Sequence, residues 1–160
     1  MHPNQQLIQQ LYESFARKDH QGMAACYHPE ATFADEAFDL KTGKEIAAMW
    51  HMLLASGKDM RMEFRDVAAD DHTGKAHWEA HYTFSKTGRK VHNIIDAEFA
   101  FKDGKIFRHR DHFNFWRWAG MALGTSGKLL GWTSFLQKKV RQTAMGNLQK
   151  FVASHPEYAG

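Results

Sequence analysis

The sequence predicts an α+β domain in which helices come first and then cover one face of a mostly antiparallel sheet. Three observations point there. Apolar residues recur at helical spacing as far as Gly57, the period changes to two from residue 59, and turn residues punctuate that second region at strand-length intervals. A chain of 160 residues, 43% hydrophobic and 24% charged, can build one globular core. Residues 1–160 therefore read as a single domain, with 117–160 as a C-terminal helical extension.

Asn4 can cap a first helix carrying Ile8, Leu11, Tyr12 and Phe15, and Asp19 a short second one carrying Met23, Cys26 and Tyr27, stopped by Pro29. The stretch ATFAD, 31–35, reads as a brief strand, and FDLKTG returns toward a third helix opened by Thr42 or Gly43. Its stripe is Ile46, Met49, Trp50, Leu53 and Leu54, and Gly57 ends it. Strands follow at about 59–69, 75–86, 90–101 and 106–116, with Asp71, Thr87-Gly88 and Asp103-Gly104 at the turns. After FWRWAGMALG and a loop TSGKLLG, Thr133 can cap a long helix. Its stripe of Leu136, Val140, Ala144, Leu148, Phe151 and Val152 predicts docking on its own subunit or on a twin.

Several functional classes fall away. The net charge of +3 comes with no nucleic-acid reader motif, and Lys138, Lys139, Arg141 and Lys150 read as a solvated helix face, so neither nucleic acid nor a membrane is expected as a partner. No apolar run reaches the ~18 residues of a membrane span. GTSGKL lacks the glycine five positions before Gly127, and Leu129 stands where a phosphate loop needs a hydroxyl. The lone Cys26 forms no internal disulfide, and MHPNQQLIQQ lacks the charged and apolar regions of a leader, so a reducing cytoplasm is expected. HWEAH, 77–81, is not the HExxH zinc motif: on a strand its outer histidines lie too far apart to share one ion without bending. No metal is expected, although a His, Glu and Asp cluster across strands stays open.

Pairing across the two tight turns gathers the ionisable residues. A two-residue turn at Asp103-Gly104 sets Glu98 opposite His109 and Asp96 opposite Asp111, and the same count through Thr87-Gly88 sets Glu79 opposite Asp96 and His77 opposite Glu98. One face then carries His77, Glu79, His81, Asp96, Glu98, His109 and Asp111 with Ile94, Phe107 and Phe113. The other carries Trp78, Ala80, Tyr82, Phe84, Ile95, Ala97, Phe99, Phe101, Ile106, Arg108, Arg110 and His112. This assumes strands without bulges, because one bulge exchanges the faces beyond it. The charged face is either the wet side of the sheet or the lining of a concave pocket roofed by the helices.

The segments YHPEATFAD at 27–35, TGKEI at 42–46 and IIDAEFAFKDGKIFRHRD from residue 94 resemble the NTF2-like superfamily, in its SnoaL-like and ketosteroid isomerase-like branch, over about residues 5–116. The resemblance implies a curved sheet wrapped around three N-terminal helices, a cone with a pocket inside, and in many members a homodimer through the outer face of the sheet. It places Asp35 at the general-base aspartate and Asp96 at the acid that stabilises an oxyanion, with Glu79, His81, Asp111 and Phe113 at pocket-lining positions. The tyrosine that pairs with that acid is replaced by Leu11, beside Tyr12, and Trp50 replaces a second tyrosine, leaving Tyr27. These departures argue against steroid isomerisation. An epoxide hydrolase arrangement, with Arg two positions from Asp on one strand facing a second Asp, is not supplied by Arg108 and Asp111.

A catalytic set of Asp35, Asp96, His109 and Asp111 is therefore expected, in a pocket for a small, largely apolar molecule lined by Tyr12, Tyr27, Met49, Trp50, Glu79, His81, Ile94, Glu98 and Phe113. Desolvation would raise the pKa of an aspartate at the mouth of an apolar cone toward that of a useful base, and two opposed carboxyls would share a proton and donate to an enolate. The reaction class is proton transfer next to a carbonyl, as in an isomerase, cyclase or dehydratase, with no cofactor. The alternative is a non-catalytic ligand-binding or dimerisation module on the same fold.

Overall fold

His2, not Asn4, caps the first helix in the computed structural model, which describes residues 1–159: its Nδ1 accepts the Asn4 N–H at 3.0 Å and Pro3 fills the first turn. Helix α1 runs Pro3–Ala16 and buries Leu7, Ile8, Leu11, Tyr12 and Phe15, each stabilising the fold by roughly 1.5–3 kcal/mol. Asp19 caps α2 (His20–Ala24) through the Gly22 N–H, as the sequence predicts. Pro29 does not end that helix. It lies inside β1, Tyr27–Ala34, which starts four residues earlier than ATFAD suggests. A two-residue strand, β2 (Asp39–Leu40), leads to α3 (Gly43–Ser56), capped by Thr42.

Four strands follow: β3 (Arg61–Ala69), β4 (Thr73–Phe84), β5 (Arg89–Lys102) and β6 (Lys105–His112). The sheet order is β2-β1-β6-β5-β4-β3, with β1 and β6 parallel and all other neighbours antiparallel. A register shift between Arg65 and Ala68, with Asp66 at φ 59°, bends β3 and helps the sheet curl. Helix α1 lies against β3 and β4, and α3 against β1. The core between them is aromatic: Phe15 packs on Trp50 and Trp78, and Tyr12 on Phe64, Trp78 and Phe99. The fold is thus α+β, with helices in the hollow of a curved sheet.

Strand β6 stops at His112 rather than running to residue 116, because Asn114 caps α4 (Phe115–Leu123). That helix closes a small second core in which its Phe115, Trp118, Ala119 and Ala122 pack with Val91. TSGKLL is not a loop but α5, Thr125–Leu130. Gly127 permits it, since a Cβ there would lie 1.9 Å from the Ala119 carbonyl oxygen. Helix α6 (Ser134–Ser154), capped by Thr133, docks on its own subunit: Leu148 is buried and Phe151 and Val152 pack on the main core. The end of the chain turns back on α3, where the His51 Nδ1 meets the Tyr158 hydroxyl at 2.9 Å.

Candidate functional site

One inserted residue decides which ionisable groups enter the cone. The Asp103-Gly104 turn has positive φ at both positions and pairs Lys102 with Lys105 and Phe101 with Ile106, as expected for two residues. The next pair is Ala100 with Arg108, so Phe107 is a β-bulge. Its ring is held outside the barrel, edge-on to His28 and beneath the Lys102 ammonium at 5.0 Å. Beyond it every side chain of β6 changes face. His109 lies opposite Phe99 and Asp111 opposite Ala97, while Glu98 meets Arg110 and Asp96 meets His112.

The β4–β5 register differs too. Phe84 pairs with Arg89 around a four-residue connection, so His77 faces Asp96 and Glu79 faces Ile94. A slip of two preserves parity, and these residues still share a face. It is the outer one. The expectation that Glu79, His81, Ile94, Asp96 and Glu98 line the pocket with His109 is therefore corrected: the bulge separates the two groups. Trp78, Ala80, Ile95, Ala97 and Phe99, assigned by alternation to the opposite side from His109, share the interior with it.

Inside, the structure brings together Tyr12, Tyr27, Met49, Trp50, His109 and Asp111, all buried; His109 and Asp111 are 1% and 2% exposed. They form a string. The Trp50 Nε1–H donates to the Tyr27 hydroxyl at 3.2 Å, that hydroxyl lies 2.8 Å from His109 Nδ1, and His109 Nε2 lies 2.8 Å from Asp111 Oδ1. The Trp78 Nε1–H reaches the same oxygen at 3.4 Å. Indole can only donate, so the arrangement that satisfies every group has Tyr27 donate to Nδ1 and a neutral His109 donate from Nε2 to the carboxylate. Parallel pairing of β1 with β6 sets Phe33 beside His109 and seals this end.

The Tyr12 hydroxyl is buried without a hydrogen-bond partner. Burial holds its pKa well above the usual phenol, and the nearby Asp111 and Tyr27 push it the same way. Asp35 sits at the turn after β1, where its Oδ1 accepts the Ala37 and Phe38 N–H groups, both at 2.7 Å. Desolvation raises its pKa to about 7; the two N–H donors oppose this and the Asp111 charge adds to it. Arg141 of α6 donates to the Asp35 and Glu36 carbonyls at 3.3 and 3.4 Å, pinning the helix over this turn. Phe113 bridges the two apolar clusters.

Sequence reasoning missed Trp78, Tyr82 and Glu36. The Tyr82 hydroxyl accepts from Trp118 Nε1 at 2.9 Å; burial raises its pKa, the Trp118 bond opposes this and the Asp35 charge adds to it. Glu36 has a buried, unpartnered Oε2 and a raised pKa caused first by desolvation. Trp78 and Tyr82 carried a usable signal, since they alternate with the aromatic face.

The profile of the SnoaL-like domain matches residues 8–109. The chain belongs to the SnoaL-like family. A search of curated proteins finds no match. Among solved structures, the SnoaL-like chain is similar to a protein provisionally assigned as a polyketide cyclase from Xanthomonas campestris pv. campestris, with 22% identity, TM-score 0.61 and coverage of 72% of this chain and 93% of that one. It is similar to an LEH-like epoxide hydrolase from M. tuberculosis at 14% identity, TM-score 0.60 and coverage of 82% and 92%. A protein with a ketosteroid isomerase-like fold from Catenulispora acidiphila, in complex with trimethylamine, matches at 6% identity, TM-score 0.63 and coverage of 72% and 91%. At these identities the likeness is one of fold. Among the described residues no helix is long and apolar enough to cross a membrane.

Proposed function

We propose that this SnoaL-like protein takes a small, largely apolar carbonyl compound into the mouth of its cone and transfers a proton next to the carbonyl, as an isomerase, cyclase or dehydratase does. The observation that carries the reading is Asp35, a carboxyl at the turn after β1 whose pKa desolvation raises to about 7, near the pH at which a general base is most useful. Tyr12 offers a buried donor without a partner, placed to receive an oxygen that gains negative charge. The Tyr27–His109–Asp111 string fixes the imidazole within the same interior. None of these steps calls for a cofactor. The buried Cys26 thiol fits a reducing cytoplasm, and the resemblance supports a homodimer, which sedimentation equilibrium would test.

A panel of enolisable aromatic ketones and β-dicarbonyls, incubated with the protein in heavy water, tests the reading by proton NMR. The expected result is accelerated α-proton exchange that rises with pH through about 7 and is lost in Asp35→Asn. A second reading, a binder without chemistry, is favoured by the commitment of the Asp35 carboxylate to two main-chain donors. Compounds that raise the melting temperature of the protein without any exchange would support it and sink the enzymatic one.

A further inference from the structure

The outer face of β4 and β5 carries a second ionisable group, independent of the interior site. His81 and His92 are direct cross-strand partners, and their rings stack with centroids 4.0 Å apart and planes 14° from parallel. Glu79 precedes His81 by two on the same face and sets its Oε1 2.7 Å from His92 Nε2. One ligand atom from each of Glu79, His81 and His92 lies within 4.8 Å of the others. Around them stand Glu63, 3.9 Å from His81, and Arg65, 3.2 Å from Glu79.

Two imidazole lone pairs beside a carboxylate suit a divalent cation. The His₂Glu set is one that zinc and its neighbours accept, with bonds of about 2.0–2.2 Å and ligand atoms therefore about 3.4 Å apart. Small torsional changes close that gap, since the histidine side chains are 37% exposed and free to turn. A supporting layer is already built. His77 Nε2 holds the second Glu79 oxygen at 2.8 Å, and Asp96 Oδ1 holds His77 Nδ1 at 2.9 Å, so a carboxylate–histidine relay aims Glu79. His77 and His81 on one strand could not share an ion; His92 supplies from the neighbouring strand what the HWEAH spacing cannot.

We infer that Glu79, His81 and His92 bind one divalent transition-metal ion of the zinc class on the outer face of the sheet, with His77 and Asp96 as positioning residues. Three protein ligands leave a fourth position for water or for a donor from another molecule.

The test uses the full chain after removal of metal by a chelator, titrated with Zn²⁺ by calorimetry and with Co²⁺ by visible absorption. The expected result is one ion per chain and a Co²⁺ d–d spectrum. His81→Gln/His92→Gln and Glu79→Gln should each weaken binding at least tenfold, and Asp96→Asn by about ten- to a hundredfold, the range for supporting residues. His51→Gln/His155→Gln, which alters the edge-on pair between His51 of α3 and His155 at the end of α6, should bind as the parent does. Circular dichroism checks that every variant is folded. Absence of saturable uptake, or uptake unchanged in folded His81→Gln/His92→Gln, would overturn the inference.

Discussion

The two faces of this sheet use the same chemical vocabulary and obtain opposite results. Inside, His109 and Asp111 sit among Phe33, Phe99, Trp50 and Trp78 with almost no exposure. Outside, Glu79 and His92 pair at a similar distance, but the Glu79 carboxyl is held down to about 2 by hydrogen bonds from His77, then His92, then Arg65. Asp35, facing the apolar side, moves the other way because desolvation outweighs its hydrogen bonds. Surroundings, more than residue type, decide whether a histidine–carboxylate pair is a fixed internal strut or an adaptable ligand set.

The largest test of this contrast is His109→Ala. It strands the Tyr27 hydroxyl and the Asp111 carboxylate in the core, so a loss of about 3–5 kcal/mol is expected, read as a fall of about 10 °C or more in thermal unfolding. A change of only a degree or two would show the interior string to be wet. Asp35 comes next, through pH. Its folded pKa of about 7 lies above the ~3.9 of an unfolded aspartate, so between those values the folded state holds a proton the unfolded chain has lost. Stability should fall as pH rises through that window, by up to about 1.4 kcal/mol per unit, and level off above it. Denaturant titrations of parent and Asp35→Asn at several pH values should show a steeper fall in the parent. Tyr12→Phe removes a buried hydroxyl that has no partner and should stabilise the chain by about 1 kcal/mol, measured as a higher denaturation midpoint. A smaller effect belongs outside: Glu79→Gln should lower the melting temperature of the metal-free protein by much less than His109→Ala does, because the outer pairs are screened by solvent.

Much of the architecture is legible in the sequence. The Asp19, Thr42 and Thr133 caps, the change of period after Gly57, and the Asp103-Gly104 turn all announce themselves through local chemistry. The interior site is legible in its residue types and not in their facing. Asp35, His109, Asp111, Tyr12, Tyr27 and Trp50 can be picked out, yet alternation alone groups Asp111 with Asp96. Nothing local marks Phe107 as the bulged residue. Its position is set by His28 and Lys102, distant in sequence or across the turn, which no periodicity count includes. TSGKLL escapes for a related reason, since α5 forms where Gly127 lets two backbones touch.

The way α6 is fastened has a kinetic consequence. Arg141 ties it to the carbonyls of Asp35 and Glu36 while Leu148 anchors it to the core, so on the function proposed above a guest reaches Asp35 only when the helix swings aside. Observed association rates should therefore saturate with guest concentration instead of climbing toward the diffusion limit. The measured dissociation constant would then be weaker than the intrinsic one in proportion to how seldom the helix stands open. Loosening the Arg141 tether would quicken both entry and exit.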